Sequence, residues 1–217
     1  MKYFFGYAII VKNDEAYTGT YMKKKLILVA APPASGKTFV SEIIAKEIGN
    51  TVYLDKDDLA DIVKNSFRIC GKEFDMVCDF YKDNIRPAEY STILHIARST
   101  LRFNGTVILN APFGNEVRDA GYMCALRESV NAEGAELWLI WVHTPTDICK
   151  ARMAERGAER DIMKLENWDE YVKKVNYSIP YELERADAID RFLVFETESE
   201  GIFNASLARV LEAIKSE

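Results

Sequence analysis

Leu26-Ile27-Leu28-Val29-Ala30-Ala31-Pro32-Pro33-Ala34-Ser35-Gly36-Lys37-Thr38 reads as an apolar strand breaking into a loop that ends in Gly-Lys-Thr. Phe39, Val40, Ile43, Ile44 and Ile48 follow at helical spacing, so the setting is strand, loop, helix. A loop placed there turns its backbone N–H groups inward at the positive end of the helix, where they suit phosphate oxygens. The spacing gives the cradle to Pro33, Ala34, Ser35 and Gly36, the β- and γ-phosphates to the Lys37 ammonium, and Mg²⁺ to the Thr38 hydroxyl. It implies a bound nucleoside triphosphate, taken as ATP. Ala31 stands where the first glycine of G-x-x-x-x-G-K-[ST] belongs.

Working outward, short apolar runs recur at 26–30, 51–54, 106–109, 137–142 and 192–195. Near-continuous apolar runs are the mark of strands covered on both faces. Helical patterns fill the intervals at 38–48, 57–67, 74–85, 87–103, 115–131, 146–156, 168–176 and 201–215. The alternation predicts an α/β fold, a five-stranded parallel sheet in three layers with right-handed crossovers. One domain is expected over 22–217, with 157–167, dense in charge and out of pattern, as a lid. Residues 1–21 are expected to be an appendage, with Met22 as an alternative start, and their apolar stretch 4–11 is too short to span a bilayer.

The chain of 217 residues carries 28 Lys and Arg against 34 Asp and Glu, a net charge of -6, with no basic run longer than Lys23-Lys24-Lys25. That balance offers no surface for extended nucleic acid and favours a small-molecule partner. Cys70, Cys78, Cys124 and Cys149 form no C-x-x-C pair, which suggests reduced thiols in a cytoplasmic protein. His95 and His143 have no second ligand at metal-binding spacing, and Trp138 and Trp141 fall inside a strand as core residues.

Ligands collect beyond the carboxyl ends of strands in an open parallel sheet. The second strand ends in Asp55-Lys56-Asp57-Asp58. An acid there can take a proton from an acceptor hydroxyl or help hold Mg²⁺: Asp57 is the expected base, Asp55 the expected metal partner, and Asp58 an acceptor contact. Helix capping by one of the three is the competing use. Arg152, Arg156 and Arg160 recur at i, i+4 and i+8, which predicts three guanidinium groups on one helix face, poised for a transferring phosphoryl group or else paired with Glu155, Glu159 and Asp161. Arg86, Asn110 and Arg118, with Tyr81, Asp83, Glu89 and Asp119, are candidates for an acceptor pocket.

On Pro33-Ala34-Ser35-Gly36-Lys37-Thr38, Asp55-Lys56-Asp57-Asp58-Leu59, and Pro145 followed by Arg152 and Arg156-Gly157, the chain resembles the P-loop small kinases grouped around phage-type polynucleotide kinase, zeta toxins, chloramphenicol phosphotransferase and gluconate kinase. The resemblance implies Asp57 as general base and Arg156 as the phosphate-contacting arginine. Asp61 occupies the position where polynucleotide kinases of this kind carry an acceptor-phosphate arginine, which argues against a 5′-hydroxyl nucleic acid end. Strand three ends in Asn110 rather than a Walker B acid, as in these small kinases. The expected activity is transfer of the ATP γ-phosphate to a hydroxyl of a small molecule. The alternatives are a nucleotide-gated binding protein without transfer, and a kinase for nucleic acid ends or nucleotide sugars.

Overall fold

A computed structural model describes residues 23–216, so the proposed appendage at 1–21 lies outside the described residues. The strands are β1 (Lys24–Ala30), β2 (Val52–Asp55), β3 (Thr106–Asn110), β4 (Ala135–His143) and β5 (Arg191–Glu196). They form one parallel sheet in the order β2-β3-β1-β4-β5. β1 lies at the centre, and Leu26 to Ala30 are completely buried. This explains its unbroken apolar sequence, since both of its faces are covered.

Helices α1 (Lys37–Ile48), α2 (Ala60–Ile69), α3 (Arg86–Thr100), α4 (Ala120–Asn131) and α5 (Thr146–Arg156) follow in order. They are succeeded by α6 (Glu159–Glu166), α7 (Trp168–Lys174), the short α8 (Glu182–Arg185) and α9 (Glu200–Ser216). Residues of α1 and α9 pack with Ile27, Val29 and Trp138 on one face of the sheet. Those of α3, α4 and α8 pack with Leu26, Leu28 and Trp141 on the other. The alternation of β1 side chains between the two clusters is the period of a strand. A third, small cluster of Val63, Phe67, Tyr81 and Ile85 stands apart from both.

Register brings the chemistry together. Val29 pairs with Asn110 and Asn110 with Asp55, so the ends of β1, β3 and β2 lie in one row. The phosphate loop leaves from that row.

Several expected boundaries are corrected. The helix expected from residue 57 begins at Ala60, because Lys56–Leu59 forms a 3₁₀ turn capped by Asp55, whose Oδ1 accepts from the Asp57 amide at 2.9 Å. Only part of 74–85 is helical, and Tyr81–Ile85 is a π-helical turn leading into α3. The helix expected from 115 begins at Ala120, where Asp119 accepts from the Tyr122 amide at 3.0 Å. The out-of-pattern 157–167 segment contains α6. Arg152, Arg156 and Arg160 do not share one helix: Gly157 takes a left-handed conformation, φ 57°, and ends α5. Arg160 falls in α6, and its side chain lies outside the described residues. Cys70, Cys78, Cys124 and Cys149 are all unpaired. No helix among the described residues is long and apolar enough to cross a membrane.

Candidate functional site: a phosphate loop and the cleft beside it

The loop between β1 and α1 turns through two positive-φ residues, Ala34 at 65° and Gly36 at 85°. Ala31 is not among the positive-φ residues, so alanine fits where the motif usually has glycine. Gly36 is different. A Cβ on it would meet Arg152 Nη1 at 3.3 Å, in a backbone conformation that disfavours side chains. Ser35 is tied down by its hydroxyl, which donates to the Pro32 carbonyl at 2.9 Å. From behind, Thr144 Oγ1 and Arg152 Nη1 donate to the Ser35 carbonyl at 2.9 and 3.2 Å.

One amide joins the row of strand ends. Asn110 is fully buried; its Oδ1 accepts from Lys37 Nζ, and its Nδ2 donates to Thr38 Oγ1 at 3.2 Å and to Asp55 Oδ2 at 2.5 Å. Burial pushes the Lys37 ammonium down to about 8, against the upward pull of Asp55 and Asp57. Thr38 Oγ1 and the Asp55 carboxylate are therefore linked through one side chain, and hard oxygen donors of this kind suit Mg²⁺. Asn110 is committed to this network and does not line the cleft beyond it.

The cleft has a volume of about 960 Å³ and runs from the loop to the segment around the π turn. Lys37, Thr38, Asp57, Arg86, Arg118 and Arg156 all line it, whereas Asp55, Asp58 and Arg152 do not. The Asp57 side chain is 79% exposed, with Oδ1 3.2 Å from Lys56 Nζ. Asp83 is exposed and also lies outside the cleft, and Asp119 is used as the cap of α4.

Arg86, Arg118 and Arg156 each have a carboxylate partner. Arg86 makes a two-point pair with Glu116, at 2.7 and 2.9 Å. Arg118 reaches Glu182 at 3.0 Å and lies 5.2 Å from the Trp141 ring centroid. Arg156 Nε donates to Asp161 Oδ2 at 2.9 Å, and Lys164 donates to the other oxygen of the fully buried Asp161 at 2.9 Å. Lys56 is nearly buried and donates to Glu89 Oε1 at 2.8 Å, while Tyr81 donates to Glu89 Oε2 at 2.6 Å.

Sequence reasoning missed Lys56, Glu116, Asn176 and Tyr177. Glu116 is 30 residues from Arg86 with no shared periodicity. Tyr177 donates to the Pro33 carbonyl at 3.4 Å, joining the segment after α7 to the phosphate loop. A tyrosine one residue past the helical pattern at 168–176 carries no composition signal.

The AAA_33 family profile, described as an AAA domain, matches residues 26–176. The chain belongs to the AAA_33 family. The matched span runs from β1 through α7 and takes in the phosphate loop, Asp57 and Arg156. No curated protein sequence matches the chain. Among solved structures, an AAA_33 chain with this fold is similar to a putative kinase from Chloroflexus aurantiacus, with a TM-score of 0.60, 15% identity, and coverage of 91% of this chain and 99% of that one. It is also similar to APE1195, with a TM-score of 0.56, 21% identity and coverage of 90% and 96%. Kti12 of Chaetomium thermophilum, solved in complex with ADP-AlF3, gives a TM-score of 0.54 at 15% identity, with coverage of 87% and 98%. The likeness at these identities is one of fold, and the fold is that of P-loop kinases.

Proposed function

We propose that the protein transfers the γ-phosphate of ATP to a hydroxyl group of a small molecule. The observation that carries this reading is the Lys37-Asn110-Asp55 network beside a cleft that the exposed Asp57 carboxylate and the phosphate loop both line. Loop amides and Lys37 would bind the phosphates, and Thr38 would hold Mg²⁺, with Asp55 acting behind it through Asn110 and water; the ion when bound supplies neutralising charge at the phosphate oxygens. Asp57 takes the proton of the acceptor hydroxyl as its oxygen bonds to the γ-phosphorus. The bond to the bridging oxygen breaks, and ADP leaves with that electron pair. Arg156 lines the cleft on the side of the 157–167 lid and would meet charge spread over the transferring group. Arg152 serves the same end indirectly, by holding the loop through the Ser35 carbonyl.

The test is transfer from γ-labelled ATP with Mg²⁺ into a pooled panel of nucleosides, sugars, aminoglycosides, phenicols and 5′-hydroxyl oligonucleotides. Label should enter one chemical class and should fall about 10² to 10⁴-fold in Asp57→Asn while ATP affinity is kept. Lys37→Ala should lose both. Tight ATP binding with no label in any class, and no change in ligand response in Asp57→Asn, would identify a nucleotide-gated binding protein instead.

A further inference from the structure

The acceptor wall faces the phosphate loop across the cleft, with Tyr81, Arg86, Tyr90 and Arg118 among its side chains. Kinases that grip a carboxylate or phosphate on their acceptor need a cation whose charge is available. On this wall Lys56 is spent on Glu89 and Asp57, Arg86 on Glu116, and Arg118 on Glu182; the other cations that line the cleft, Lys37, Arg156, Lys164 and Lys174, belong to the end of the phosphate loop and to 156–176. The Arg86 pair is the decisive one. It uses both nitrogens against both oxygens, which is the strongest geometry available to the two groups. Glu116 is also 9% exposed, so an incoming anion that captured Arg86 would leave a buried carboxylate without a counterion. Beside Arg86 the wall is neutral: burial raises both Tyr81 and Tyr90, which keeps their hydroxyls protonated, and the Arg86 guanidinium lies over the Tyr90 ring at 4.3 Å.

Building on the phosphotransfer reading, we propose that the acceptor is an uncharged hydroxylated molecule, and that the Arg86–Glu116 pair excludes carboxylate- and phosphate-bearing molecules from its seat. The glutamate acts here as a specificity determinant. It keeps the guanidinium rigid over Tyr90, as a donor surface and flat wall, while cancelling its charge. Anion rejection then comes from a partner already in place, not from a lack of cations.

The first test needs no knowledge of the acceptor. With the phosphate loop saturated by a non-hydrolysable ATP analogue, inorganic phosphate is titrated calorimetrically into wild type, Glu116→Gln and Glu182→Gln. Wild type should bind phosphate only in the high millimolar range, and Glu116→Gln should bind it at least tenfold more tightly with an unchanged circular dichroism spectrum. Glu182→Gln frees Arg118 at a more exposed pair and provides a second, milder variant should Glu116→Gln fail to fold; it should tighten phosphate binding severalfold. Equal phosphate binding in wild type and in every folded variant would overturn the proposal. The second test offers matched acceptors to the labelled-ATP assay, a hexose with its uronate and a nucleoside with its 5′-monophosphate. Preference for the anionic member by wild type would overturn the proposal, and preference for the neutral one supports it. If label enters neither member of any pair and no class of the pooled panel, the phosphotransfer reading fails, and the phosphate titration still decides what Glu116 does.

Discussion

ATP binding should weaken as pH rises from 7 to 9, because the nucleotide-free protein holds Lys37 at about 8. Burial is the cause, and the neighbouring charges of Asp55, Asp57 and Lys56 only partly offset one another. When the phosphates arrive, their negative charge restores the ammonium toward its usual range near 10.4. Binding above pH 8 must therefore take up a proton. The apparent Kd is multiplied by one plus ten to the power of pH minus 8, which gives factors of about 1.1, 2 and 11 at pH 7, 8 and 9. The tenfold loss corresponds to about 1.4 kcal/mol. Calorimetry of Mg-ATP binding across this range, in two buffers of different ionisation heat, reads both the Kd and the protons taken up. Uptake should approach about 0.9 proton at pH 9. Lys37→Arg, charged throughout, should show no such slope. A flat Kd in wild type, or the same slope in Lys37→Arg, would refute the assignment of the titration to this ammonium.

The same depressed value has a consequence for the empty protein. Its cost is fully present below pH 8 and relieved as pH rises through the folded value toward the unfolded one, so Lys37→Met should stabilise the nucleotide-free fold at pH 7 by about 1–3 kcal/mol, read by urea titration, while removing ATP binding. Gly36→Ala should weaken ATP binding at least tenfold at nearly unchanged far-ultraviolet dichroism, because the φ of 85° and the Arg152 contact at 3.3 Å force the loop to shift. Glu89→Ala leaves the Lys56 ammonium in a nearly buried site and should cost about 3 kcal/mol in chemical denaturation; a loss under about 0.5 kcal/mol would show that Lys56 escapes to solvent. Asp161→Asn uncouples Arg156 and Lys164 and should lower the rate of phosphate transfer more than it raises the KM for ATP, measured by steady-state kinetics.

What could be read from the sequence was whatever depends on neighbours along the chain. The five strands were legible because both faces of each are covered in a three-layer fold, and short unbroken apolar runs between helical stretches are what such strands require. Their ends shifted by a residue or two, since pairing carries polar Lys24 and Asn110 into the ladder. α6 was not legible: Glu-Arg-Asp-Ile-Met-Lys-Leu-Glu offers little to bury, and its Asp161 is fixed by Arg156 from the preceding helix. The π turn at Tyr81–Ile85 is a change of hydrogen-bond register without a composition signature. In the site, Lys37, Thr38, Asp57, Arg118 and Arg156, which line the cleft, were legible by local motif or by strand-end position, and Arg86 lines it from a helical stretch that carried no motif. The carboxylates that meet those arginines come from other elements, and such pairings depend on how helices cross.

The small cluster of Val63, Phe67, Tyr81 and Ile85 supports one wall of the cleft without joining either main core. Its four side chains can be exchanged, or can loosen together, with little effect on β1 and the loop that leaves it. Hydrogen exchange should report this region as a separate opening unit of lower protection than the central sheet. Divergence can act on the same division. A lineage can reshape that wall of the cleft by repacking one satellite, while the nucleotide frame, anchored in the most buried strand of the sheet, is inherited unchanged.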